Sequence, residues 1–364
     1  MTKIYLQKYF FTEKEKTIFE EGQFKAIIYE FETGMHAIKL CNSVGYIIVL
    51  PYYGQMVWDA FFEGRSLVMK TLFDKDMPKY KSSFLDNYGC YIMHCGARRN
   101  GCPSQYDTHP LHGELPAAIY DSAAIIAGDD ENGNYIGVTG LYEYNQAFGD
   151  KYLAHPCVKI YEDSGLLHVS IEINNLTGHA MDLMYMLHIN NCLRDSGRIV
   201  QTSGWTPDDM QVRTFIPEYN VIPDGFREFM NKIALDPSYT RTLNIEDDYN
   251  PEICIEMCKY KKDNEGFAYA MQVHPDGTAD LVKFKPDELP VSQRWICTTL
   301  ADDQRKIGIA LPGTCGTEGY LAEKHKGRIR KIQPFESFKT TVIAGYLDAE
   351  QTKRIENHIK SMSI

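Results

Sequence analysis

The chain lacks any uninterrupted apolar run of the ~18 residues that a membrane-spanning helix needs. Its one basic cluster, "KHKGRIRK" at 324–331, is short. Against 38 lysines and arginines stand 49 aspartates and glutamates, a net charge of −11. Such a surface repels phosphate backbones and anionic headgroups, so neither nucleic acid nor a membrane is an expected partner. A P-loop, a dinucleotide-binding glycine fingerprint, a GxSxG elbow and a HExxH helix are all missing, which argues against nucleotide, dinucleotide and serine-hydrolase chemistry. The 10 cysteines include no CxxC pair of the zinc type. Since the N-terminal stretch "MTKIYLQKYFFTEKEK" has no apolar leader, these cysteines are expected as reduced thiols in a cytoplasmic protein.

Helical periodicity is also scarce, whereas strand signals are abundant. With 24 tyrosines, 17 phenylalanines and 27 glycines, the composition favours strands and turns. In "LLHVSIEINNLTG", Leu167, Val169, Ile171 and Ile173 alternate with polar residues, the two-residue period of a half-buried strand. "AMDLMYMLHINN" is apolar on both faces until His188 and Asn190, which share a face at the polar end of an interior strand. Further strands are predicted in "FKAIIYEF", "GYIIVLPY", "QMVWDAFF", "YIGVTGLYEY", "CVKIYED", "ICIEMCKY", "AYAMQVHP", "KIGIALP" and "FKTTVIAGYL", with "DDENGNY" as a hairpin turn. The clear helix is "DAEQTKRIENHIKSM": Asp348 with Gln351 three residues on forms a capping pattern, and Ile355, Ile359 and Met362 share a stripe. No linker or repeat interrupts the chain. The expectation is an all-β fold, a single large antiparallel β-sandwich domain over residues 1–364, with a core of about 25–347 and a terminal helix over 348–364.

Three places could carry chemistry. In "DTHPLHGELPAA" (107–118), prolines restrict ladder pairing, and two-residue spacing along an extended piece puts His112 and Glu114 on one side. A histidine beside a carboxylate suits acid/base work or gripping a hydroxyl, and equally a hydrogen-bonded turn. The second place is His188 with Asn190, readable as a satisfied core histidine or as a binding surface. The third is "LPGTCGTEGYLAEKHKG" (311–327), a glycine-flanked loop presenting Glu318. A catalytic metal on His94, His112, Glu114 and His188 is an alternative use of the same residues. Among the tryptophans, Trp58, Trp205 and Trp295, the loop residue Trp205 is singled out for stacking on a sugar face.

Taken in order, the "HG" histidine loop, "MYMLHIN", the glycine-flanked carboxylate loop and "IQPFESFKTTVIAGYL" resemble the aldose 1-epimerase (galactose mutarotase-like) superfamily. The blocks "GQMVWDAFFEGRSL", "MHCGARRNGCPS", "THPLHGELP" and "EGYLAEKHKG" are similar to its DUF4432 branch, over about residues 45–347. The resemblance implies a β-supersandwich, a small-molecule carbohydrate substrate and cofactor-free acid/base catalysis on a free sugar or sugar acid; the sequence leaves open whether the protein is a monomer or a homodimer. Carried over by motif, His188 is the acid and His112 a sugar-contacting histidine. The carboxylate base of the family's Leu-Glu-Pro-like triplet falls on Leu311 here, so Glu318 or Glu114 is the expected substitute. His94, Arg98, Glu114, Asn190 and Trp205 complete the expected substrate contacts. A metal-assisted isomerase or lyase, or a sugar sensor that has lost its base, are the other readings.

Overall fold

The computed structural model describes residues 1–72, 77–80, 83, 85, 88–217, 220–247 and 249–362. These form two large antiparallel sheets, one of ten strands and one of twelve, and a small two-stranded sheet. Each strand predicted above is present. Strand Leu166–Asn175 buries every second residue, as its two-residue period requires, between Lys151–Tyr161 and Ser337–Leu347 of the ten-stranded sheet. A hydrophobic cluster that draws Ile136, Val138 and Ile171 from that sheet and Ile28, Ile38 and Ile47 from the other fills the space between them. This is a β-sandwich, and its short C-terminal helix Ala349–Ser361 lies where expected. Asp348 Oδ1 accepts from Gln351 N at 2.8 Å while Gln351 Oε1 accepts from Asp348 N at 3.1 Å, closing the capping box. Ile355, Ile359 and Met362 then cover Tyr269, Met271 and Leu281 on the ten-stranded sheet.

The functional region belongs to the twelve-stranded sheet. There the neighbours run Met210–Val212, Ile253–Met257, Val291–Thr298, Arg305–Gly313, Met186–Ile189 and Ile92–Cys95. Three details differ from the sequence reading. "AMDLMYMLHINN" is two strands, Met181–Leu183 and Met186–Ile189, because Tyr185 N donates to the Thr314 hydroxyl at 2.9 Å and not to a strand carbonyl. The glycine-flanked loop contains a helix, Tyr320–His325, whose Glu323 is fully buried and accepts from Gly316 N at 2.9 Å. A further helix, Phe226–Leu235, buries only Phe226, Met230 and Ile233, too sparse a stripe to stand out in the sequence.

Candidate active site

Met186–Ile189 is buried along its whole length, so His188 has no solvent route except toward a cavity of ≈ 230 Å³ on this face of the sheet. Among the described residues the wall includes Tyr88, His112, His188, Arg213, Glu252, Trp295, Lys306 and Leu311. That volume lies below the ~300–1,000 Å³ of sites for drug-sized ligands and suits a molecule as small as a monosaccharide. The wall mixes two aromatic rings with amides from Asn220, Asn250, Gln293 and Gln304, the combination that grips a hydroxyl-rich ring.

His112 reaches the cavity by an unusual backbone path. It sits at φ 57° and is followed by Gly113 at φ 80°. A Cβ on Gly113 would come within 2.1 Å of the Arg99 carbonyl oxygen, so the position admits only glycine. Backbone bonds from His112 N to Gly101 O (3.0 Å) and from Gly96 N to His112 O (2.9 Å) hold the reversal. Left-handed backbone at a non-glycine residue is strain of the kind that collects at functional sites. The reversal also corrects the expected pairing. Residues 107–118 are turn and not extended strand, and while His112 faces the cavity, Glu114 turns away to accept from Arg98 N (3.1 Å) and the Tyr152 hydroxyl (2.8 Å).

Within the cavity the two histidine rings lie 5.5 Å apart, centroid to centroid, nearly perpendicular. His112 Nδ1–H donates to Asn100 Oδ1 at 3.2 Å, which makes Nε2 the acceptor nitrogen of a neutral ring. The Tyr88 hydroxyl donates to Asn190 Oδ1 at 3.0 Å and lies 3.3 Å from His188 Nε2. Burial pushes the His188 pKa down to about 4, partly opposed by Asn190. Burial pushes His112 well below the ordinary histidine value, and the neighbouring His188 and Arg213 add to that push. Both imidazoles are therefore uncharged at neutral pH.

Trp295 ties the other groups together. Its indole Nε1–H donates to Glu252 Oε2 at 2.7 Å, and its ring lies 5.5 Å from that of His188. Glu252 is also ion-paired with Arg213 in a tight contact, with both side chains largely buried. Leu311, 2% exposed, stands in the wall where the resemblance expects a carboxylate.

Of the expected site residues, the structure brings only His112 and His188 to this cavity. Glu318 follows the wall residue Thr317 but points to Lys326, with which it forms an ion pair. His94 is buried against the Tyr185 hydroxyl at 2.9 Å, and Arg98 pairs with Asp150 at 2.6 Å on the rim of a separate hollow. Asn190 lies beneath the wall as the partner of Tyr88, and its Nδ2 donates to Cys90 O at 3.0 Å. Trp205 packs under the guanidinium groups of Arg241 and Arg294 at 4.8 and 5.5 Å, and the tryptophan that lines the cavity is Trp295. The four-residue metal set of His94, His112, Glu114 and His188 does not come together. Among the described residues no three His, Cys, Asp or Glu side chains converge as metal ligands. Glu252, Arg213 and Lys306 escaped the sequence reading because "NPEICIEM", "QVRTF" and "RKIGIALP" carry no signal beyond strand alternation.

The two-sheet sandwich with its short C-terminal helix is a galactose mutarotase-like fold, shared with the solved structures it matches. A proposed aldose 1-epimerase from Klebsiella pneumoniae superposes with a TM-score of 0.80 over 96% of this chain and 91% of that one, at 15% identity. A galactose mutarotase-like protein from Clostridium acetobutylicum matches with a TM-score of 0.57 over 88% and 97% of the two chains, at 12% identity. A proposed aldose 1-epimerase from Escherichia coli K12 gives 0.56 over 86% and 99%, also at 12% identity. No family model and no curated protein sequence matches the chain.

Proposed function

We propose that this protein is a carbohydrate-acting enzyme that interconverts the anomers of a free sugar in the Trp295 cavity, with His188 and Glu252 as the proton-exchanging pair. The observation that carries the reading is the convergence of His112, His188 and Glu252, from distant parts of the chain, on one cavity, with His188 and Glu252 both against the Trp295 indole. In ring opening the carboxylate takes the proton of the anomeric hydroxyl, the carbonyl forms, and the bond from the anomeric carbon to the ring oxygen breaks. The protonated imidazole supplies that oxygen with a proton. After the aldehyde turns, the same steps run backwards to give the other anomer, and each positioned group is worth roughly 10²- to 10⁴-fold. His112 and the Arg213 guanidinium hold hydroxyl groups, and Tyr88, itself anchored on Asn190, fixes the His188 ring.

Glu252 takes the part that the family motif would assign to the position of Leu311. Glu252→Gln should lower the rate of anomer exchange by 10² or more, whereas Glu318→Gln should leave it essentially unchanged. The reverse pattern, measured by exchange NMR on both variants, would return the base to Glu318. Leu311 favours one other reading, a sugar-binding protein without turnover. Saturable sugar binding with no catalysed exchange would establish it.

A further inference from the structure

The charges in this cavity do not balance. Arg213 and Glu252 neutralise each other, both histidines are uncharged, and Lys306 remains. It is 9% exposed on strand Arg305–Gly313, and Nζ donates to the amide oxygen of Gln304 at 2.5 Å. Among the described residues no carboxylate lies within ion-pair distance of it. Its ammonium stands 5.8 Å from the Trp295 ring centroid, against the same indole that meets His188. A second donor is similarly unmatched: the side-chain nitrogen of Asn220, also in the wall, is buried without an acceptor among the described residues.

A buried cation without a counter-ion is costly, and a chain of net charge −11 had carboxylates to spare for pairing it. The cavity wall instead keeps an ammonium that forms no ion pair among the described residues and an amide donor without an acceptor among them. Burial lowers the Lys306 pKa, opposed in part by Cys297 and by the more distant carboxylates of Glu252 and Asp303.

We propose that Lys306 recognises an anionic substituent on the sugar, and that the natural substrate is a sugar acid whose carboxylate pairs with this ammonium. The inference rests on the reading of the cavity as a sugar site. One ammonium matches the single charge of a carboxylate more closely than the roughly double charge of a phosphate ester. Lys306 is thus a specificity determinant, and His188 and Glu252 carry the proton exchange.

The test compares each hexuronate with its neutral parent, galacturonate with galactose and glucuronate with glucose, and adds glucose 6-phosphate as a third arm. Binding is read by NMR titration and turnover by exchange NMR, on the wild-type protein and on Lys306→Met. The wild type should prefer the acid by roughly 10- to 150-fold, the worth of a hydrogen bond to a charged group. Lys306→Met should bring that ratio close to one, and Lys306→Arg, which keeps the charge, should retain most of it. Lys306→Arg also serves as the informative variant if Lys306→Met fails to fold. Equal or better binding of the neutral sugars, or a ratio unmoved by removing the charge, would overturn the proposal. A preference for the 6-phosphate over the uronate would overturn the carboxylate assignment. Absence of catalysed exchange on every sugar, with the acid preference intact, would remove the enzyme reading and leave the anion subsite standing.

Discussion

His188 is held between an indole and a tyrosine hydroxyl, and burial decides its charge. With a pKa near 4 the imidazole is uncharged at pH 7, so the proton-bearing form that the proposed anomer exchange calls for is scarce. Its population grows about tenfold for each unit by which the pH falls toward 4. The expected pH profile of kcat/KM therefore rises between pH 7 and 5. A profile flat or falling over that range would take the donor role away from His188. The residue itself was legible in the sequence, because the polar end "LHIN" breaks an otherwise apolar strand. Its partners were not. Glu252 and Lys306 stand in ordinary strand sequence, and only folding against Trp295 places a carboxylate and an ammonium in the cavity.

At the scale of elements, strands were readable and the local geometry of loops was not. A two-residue period survives any tertiary context, as Leu166–Asn175 shows. The reversal at His112 and Gly113 depends on carbonyls of residues 96 and 99, so nothing within "DTHPLHGELPAA" reveals that Glu114 faces away. Gly113→Ala should destabilise the protein by more than about 1 kcal/mol, since a side chain there is both strained and in collision with the Arg99 carbonyl. Any folded fraction should show a raised KM as His112 shifts. A melting temperature and KM equal to the wild type would mean that this loop does not position His112. The terminal helix offers a contrast, because its start was written locally in Asp348 and Gln351. Asp348→Ala should cost about 1 kcal/mol in thermal denaturation without touching catalysis. A loss of activity at full stability would contradict the helix's role as a cover remote from the cavity.

The whole molecule keeps several histidines uncharged, His94 and His188 buried and His168 partly buried. His94, His168 and His188 are each pushed down to about 4, chiefly by burial, against an ordinary value of 6.5. Between those values the unfolded chain binds more protons than the folded one, so stability is greatest above pH 6.5 and is lost as the pH falls toward 4. Each such histidine contributes a slope of up to ~1.4 kcal/mol per pH unit. Urea denaturation at pH 7 and pH 5 should show a clear drop in midpoint at the lower pH, and equal midpoints would contradict the buried neutral state. The predicted rise in kcat/KM toward pH 5 thus runs against falling stability, which sets a lower bound on the useful pH range.

The most direct test of the account is the rate of anomer exchange on hexoses and hexuronates, measured by exchange NMR with wild-type protein and with His188→Asn. The account predicts catalysed exchange on at least one of these sugars and a loss of 10² or more in the variant, with sugar binding retained. Exchange no faster than in buffer for every sugar, or an undiminished rate in His188→Asn, would contradict it.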